Sequence, residues 1–308
     1  MKIQNKLPSE LFGRILTACL AAAALWAPFS TANAQLPPPP AQPKATLPAA
    51  LRAQGEFKVG VRCDYPSRGT IGADGKNEGL EPDMARRMAE YAFGDASKVA
   101  FTCVTAESRV PFLTSKRVDF LIATLGITPA RAEVISFSDP YFASFGKMLT
   151  VAQTPAFNDL NGATGKAILV LSGTPYGEFA EKCLKGQNVR QFKTVSDAVA
   201  DLANGRGFGF LHDSSAIDTI AVNNAKLKIN GPDFEIGFAT AVGVRKGEED
   251  LRKWINDALQ TMQNENFFSQ SIRKHITTEL EREDAVKVVR SPGKTPDYSK
   301  YTGTVNCR

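Results

Sequence analysis

Arg131 ends the segment ATLGITPAR, a few residues beyond a run of apolar side chains. A guanidinium offers a planar fork of donors that matches a carboxylate with two parallel hydrogen bonds. Gly126 lies in the loop just before it, where an exposed backbone N–H can join that fork. The segment SGTPYGE (172–178) sets Gly173 and Thr174 at the start of a helix, whose free N–H groups and dipole favour an anion. Asp213 ends a strand further on and supplies the counter-charge for an ammonium, while Tyr65 follows the first strand and can cover the body of a ligand. All of these positions fall at the C-terminal ends of strands or in the loops beyond, where open α/β sheets bind ligands. The chemistry they offer is the holding of a small zwitterion.

Templates for catalysis and cofactor binding fail. There is no G-x-S-x-G elbow, and neither of the 2 histidines falls in a hydrolase motif. GATGKA (162–167) lacks the spacing and final hydroxyl of a phosphate-binding loop, and the glycines of GRGFGF (205–210) lead into a strand instead of a helix. His212 and Asp213 are neighbours on a strand and so point to opposite faces, which reads His212 as solvated or hydrogen-bonded rather than catalytic. No CxxC or Cys/His cluster exists, so neither a metal nor a cofactor is expected. The formal charge of +5, from 37 basic and 32 acidic residues spread along the chain, gives no argument for nucleic acid.

The elements that must position these residues alternate. FKVGV (57–61), VAFTCVT (99–105) and VDFLIATL (118–125) read as strands, the last so continuously apolar that both its faces should be covered. Helices are expected at 82–94, with Pro82 in the first turn and Gly94 past the end, and at 107–117. The pattern restarts with strands at 166–171, 188–194 and 207–213 and helices at 175–184 and 195–205. Two α/β units follow, each with a mostly parallel sheet. The extended segments FASFGKMLTVAQ and FATAVGVRKG flank the second unit, so the first is discontinuous: 51–150 plus 240–276 in one lobe, 151–239 in the other. Helical 250–265 and the segment 267–276 complete the first lobe, and 277–308 reads as a polar tail.

The start of the chain has its own grammar. Lys2, Lys6 and Arg14 precede an apolar run from Ile15 to Phe29, and Ala32 and Ala34 occupy the small-residue positions before a cut after Ala34. Residues 1–34 therefore read as a secretory signal peptide, too short in its apolar part to span a membrane. A proline-rich spacer covers 35–50. Loss of Cys19 with the signal leaves Cys63, Cys103, Cys183 and Cys307, an even number in an oxidising compartment, for which three pairings exist.

The segment 107–142, ESRVPFLTSKRVDFLIATLGITPARAEVISFSDPYF, resembles the signature of the periplasmic amino-acid-binding proteins of ABC importers, extracellular solute-binding protein family 3. GLEPDMARRMAE (79–90), NGRGFGFLHDSSA (204–216) and AVGVRKGEEDLRKWINDAL (241–259) are similar to three further segments of that family, so the resemblance covers about residues 51 to 276. It implies a two-lobed type II fold whose lobes close on one amino acid, a soluble monomer in the periplasm, and an inner-membrane ABC permease as partner. By the same resemblance, Arg131 would hold the α-carboxylate with the N–H groups of Gly126 and Thr174, beside Gly173. Asp213 would take the α-ammonium from the opposite lobe, assisted by the Thr124 carbonyl, and Tyr65 would be an aromatic wall.

The sequence also departs from the pattern. Gly126 stands where the family has Ser or Thr, Pro175 replaces a second Thr or Ser, and the first loop reads YPSRGT without an aromatic after the proline. Arg62, next to that loop, is expected to point inward and favour an acidic side chain. The competing reading is a periplasmic dehydratase of the cyclohexadienyl type on the same scaffold, with Glu78 or Glu181 as the general acid. For the cysteines, Cys63 and Cys103 end the first two strands at similar heights, which favours Cys63–Cys103 and leaves Cys183 with Cys307.

Overall fold

The computed structural model describes residues 41–160, 165–232, 234–276, 282, 285–305 and 307. The expected signal peptide, residues 35–40 of the spacer and the start of GATGKA lie outside these residues. The apolar run of the first lobe becomes the short strand Phe120–Ile122, buried along its whole length. It lies beside Phe57–Val61, which pairs in parallel with it and with Val99–Cys103. Gly243–Arg245 and Ile135–Phe137 complete this five-stranded sheet, Gly243–Arg245 running antiparallel to both its neighbours. Met84, Met88 and Tyr91 of the helix Leu80–Phe93 pack on one face with Trp254, Leu259 and Met262 of the helix Glu249–Asn264, forming one core.

The second sheet has the order Val189–Phe192, Ile168–Leu171, Gly209–Asp213, Phe142–Val151, Leu227–Ile229, with Phe234–Thr240 also paired to Phe142–Val151. The first three of these strands are parallel to one another, and the long strand Phe142–Val151 is antiparallel to each of its partners. Its membership matters for the boundaries. Sequence placed Phe142–Val151 at the end of the first lobe, yet it hydrogen bonds along its length within the second sheet, so the chain changes sheets near Asp139–Tyr141. It returns at Thr240, opposite Phe142.

Besides the short helices Ala49–Gln54 and Pro129–Val134 and the strand Ile135–Phe137, three further elements had no clear sequence signal. The loop after the first strand is an antiparallel ribbon, Asp64–Tyr65, Gly69–Ile71 and Asn77–Glu78. A helix, Ser214–Asn223, follows directly on Asp213, which caps it by accepting the Ser215 N–H. The third is the strand Leu227–Ile229.

The carboxyl-terminal segment is not a loose tail. Val289 belongs to the core of the first lobe and Arg290 is buried, its Nε donating to the Pro140 carbonyl at 2.7 Å. Gln263 reaches the Ser291 carbonyl and the Thr295 hydroxyl. Further on, Thr302 bridges to Phe238, the Gly303 N–H donates to Gly237, and Val305 packs on the second lobe. Cys307 then bonds Cys183 on the helix Pro175–Cys183, and Cys63 bonds Cys103 across the first two strands, with Cα atoms 5.0 and 5.5 Å apart. Among the described residues no helix is long and apolar enough to cross a membrane.

Candidate functional site

Arg131 lies in the short helix Pro129–Val134. Thr128 caps this helix through its hydroxyl and Pro129 opens it, which gives the I-T-P-A-R spelling a local physical reason. Arg131 Nη1 donates to the Gly126 carbonyl at 2.7 Å and Nη2 to the Gly173 carbonyl at 3.0 Å, so one side chain joins loops of both lobes. Burial lowers this guanidinium to about 10, with Glu178 pulling the other way, and it stays charged at neutral pH. Gly126 faces Thr240 across an isolated bridge whose hydrogen bonds are made by Ile127 and Ala241, leaving its own N–H and C=O turned away from that strand. A side chain at Gly126 would meet the Phe238 Cβ at 3.1 Å, so the Ser or Thr usual in the family would require Phe238 to shift by a few tenths of an ångström.

Gly173 and Thr174 begin the helix Pro175–Cys183. Gly173 has φ +68°, and a Cβ there would lie 2.9–3.0 Å from the backbone of Ala106 and Glu107 in the first lobe. The two lobes meet at this glycine. The Thr174 hydroxyl is occupied twice, donating to the Leu171 carbonyl and accepting the Gly177 N–H. Arg131, Gly173 and Thr174 line an open cavity of about 380 Å³, with Glu107, Glu178 and Glu181 at its rim.

Thr174 and Pro175 also wall a second, inner chamber of about 20 Å³, lined further by Arg62, Tyr65, Arg109, Thr124, Tyr176, His212 and Asp213. Asp213 accepts hydrogen bonds from Ser144, Tyr176, and the Ser215 hydroxyl and N–H. Burial, then Asp213, raises the Tyr176 and Tyr65 hydroxyls well above the usual tyrosine range. Tyr65 comes from the first lobe but packs into the hydrophobic core of the second, and its neighbour Asp64 accepts the Val195 N–H of the second lobe at 3.2 Å. Arg62 is buried and is held by both oxygens of Asp64. Thr124, with φ +48°, gives its carbonyl to Arg109 at 2.9 Å, where sequence had assigned it to an ammonium.

Sequence reasoning missed Arg109, Tyr176 and the placement of His212. Arg109 is 2% exposed and donates to the Ala123 and Thr124 carbonyls, with no carboxylate partner among the described residues. Burial, with Arg131 and Arg62 adding to it, holds its guanidinium well below the usual arginine range. His212 makes no hydrogen bond to any of the described residues. It is buried, both ring nitrogens lack partners, and it shares the chamber with Asp213 because Asp213 ends the strand as a helix cap and turns back. Tyr65 Oη, Thr124 Oγ1 and Arg109 Nε are likewise buried without partners among the described residues. Glu78 lies exposed on the ribbon, and Glu181 is exposed and hydrogen-bonded to Gln191; Glu181 lines the outer cavity and neither lines the inner chamber.

Two α/β lobes joined by two crossings, with a cleft whose walls come from both, define a type II periplasmic-binding-protein architecture. The model of the bacterial extracellular solute-binding proteins, family 3, matches residues 57–278, and the chain belongs to that family. It is 26% identical to the ABC transporter glutamine-binding protein GlnH of Bacillus subtilis over 76% of this chain and 85% of that protein. It is 29% identical to the L-cystine-binding protein TcyJ of Escherichia coli, over 70% and 80% respectively. Among solved structures, the solute receptor for L-cysteine of Neisseria gonorrhoeae superposes with a TM-score of 0.71 at 27% identity, covering 74% of this chain and 92% of that one.

Proposed function

We infer that this protein captures an amino acid between its lobes outside the cytoplasmic membrane and delivers it to an ABC importer, after removal of the segment ending at Ala34. In this reading the carboxylate replaces the carbonyls on Arg131, near the N–H groups of Gly126, Gly173 and Thr174, and the ammonium displaces hydroxyl donors from Asp213. The relatives bind different amino acids by their names (glutamine, cystine), so the side-chain class must come from this cleft. One observation carries it: Arg109 is a buried cation with no carboxylate partner among the described residues, beside polar atoms that lack partners in the same chamber. Arg131 and Asp213 balance the main-chain charges of a ligand and Asp64 balances Arg62, which leaves Arg109 for an additional negative charge. The ligand is therefore an acidic amino acid, aspartate or glutamate.

The inner chamber holds about one water-sized probe, so the lobes must part before a ligand enters and close around it afterwards. Titration calorimetry with glutamate, aspartate, glutamine, histidine and lysine tests the reading. Tight binding of the two acids supports it; tight lysine binding with no response to glutamate overturns it.

A further inference from the structure

The imidazole of His212 sits in a box of aromatic rings, stacked on Phe210 at 5.1 Å and flanked by Tyr65 and Tyr176 at 5.5 Å each. It is 2% exposed, and neither nitrogen has a hydrogen-bond partner among the described residues. A buried polar ring with both nitrogens unmet lowers stability, and an apolar ring would fill the same box without that cost. The ring also lines the chamber that holds Arg109, Thr124 and Asp213. We propose, on the basis of the acidic-ligand reading above, that His212 donates a hydrogen bond to the ligand's side-chain carboxylate and takes up one proton from solvent as the ligand binds.

The charges around the ring explain why the proton arrives with the ligand. Asp213 and Asp64 favour the imidazolium; Arg62 and Arg109 oppose it, and Tyr65 and Tyr176 are kept neutral by burial. Lys147, opposite His212 on the neighbouring strand, is paired with Asp218. Burial dominates and holds the imidazole down at about 4, so it is neutral at physiological pH. A carboxylate placed between Arg109 and His212 removes the excess positive charge, satisfies a ring nitrogen and makes the imidazolium favourable. Glutamate is then preferred over glutamine increasingly as pH falls, because the amide cannot stabilise the second cation.

The chain has 2 histidines, so imidazole NMR of the mature protein is directly assignable, with His275, in its half-buried pair with Asp83, as the second signal. On adding glutamate at pH 6.5, the His212 signals should move to the imidazolium position. Calorimetry in two buffers of different ionisation enthalpy should report close to one proton taken up, and affinity should rise about tenfold between pH 8 and pH 6, as for a bound-state group titrating near 7. His212→Gln should abolish the uptake and the pH dependence, so that it weakens glutamate binding more at pH 6 than at pH 8. Glutamate binding with unmoved His212 signals and no proton uptake overturns this inference and leaves the acidic-ligand reading standing. Binding of neutral or basic amino acids alone overturns that reading, and the inference with it.

Discussion

The two walls of the cleft are not equivalent. The first lobe presents guanidinium groups in excess, with Arg109 and Arg131 bound to backbone carbonyls only, and its Thr124 and Tyr65 hydroxyls unmet. The second lobe is largely self-satisfied: Asp213 accepts four hydrogen bonds and the Thr174 hydroxyl makes two, leaving His212 as its one unmet side chain on the chamber among the described residues. In the acidic-ligand reading proposed above, the ligand would be drawn first to the first lobe, where charge is uncompensated, and the second lobe would follow by exchanging bonds it already has. Attraction resides on one side and reorganisation on the other.

The sharpest way to separate the walls is acid. A histidine that titrates at about 4 when folded and near 6.5 when unfolded takes up its proton more readily in the unfolded chain, so stability is fully present above pH 6.5 and declines towards pH 4. The gap of about 2.5 in pKa corresponds to about 3 kcal/mol. Chemical denaturation at pH 7.5 and 4.5 should reveal the loss, and His212→Gln should flatten it. A pH-independent midpoint in the unsubstituted protein would contradict the burial of this ring.

Next in size is Asp213→Asn. Asparagine caps a helix as well as aspartate does, so the melting temperature should hold while affinity for glutamate falls about 100-fold, as expected for a buried charge left unpaired. Equal losses in stability and binding would mean that Asp213 acts only as a cap. On the opposite wall, Arg109→Met should cost a similar factor for glutamate but only a few-fold for glutamine, measured by competition; an equal loss for both ligands would make Arg109 a scaffold for the Ala123 and Thr124 carbonyls. The smallest effect is expected at the seam between the walls. Gly173→Ala sets a Cβ against the Ala106–Glu107 backbone in a left-handed conformation, which should weaken binding about tenfold, chiefly through faster release in stopped-flow traces.

Much of this was legible in the sequence, for reasons that vary by residue. The alternation of strands and helices is local, and FLIA had to be a covered strand because nothing polar interrupts it. Arg131 was readable because it follows the apolar strand inside the segment that resembles the family signature; the short helix that carries it, opened by Thr128 and Pro129, was not anticipated. Arg109 was not readable: in ESRVPFL it looks like a surface charge, and its burial depends on carbonyls 14 and 15 residues away. His212 was misplaced because strand alternation was applied through Asp213, where the strand ends and a helix begins. The terminal segment was read as a tail because its anchors, Val289, Arg290 and Val305, follow no helical or strand period.

That segment leaves the two lobes joined three times: by the crossings near Asp139–Tyr141 and Thr240, and by a run that lies beyond residue 278, where the family match ends. It is rooted in the first lobe at Val289, lies over Pro140 at the crossing and is welded at Cys307 to the helix that presents Gly173 and Thr174. The segment is therefore fixed to both lobes, by packing at Val289 on one side and by a covalent bond at Cys307 on the other.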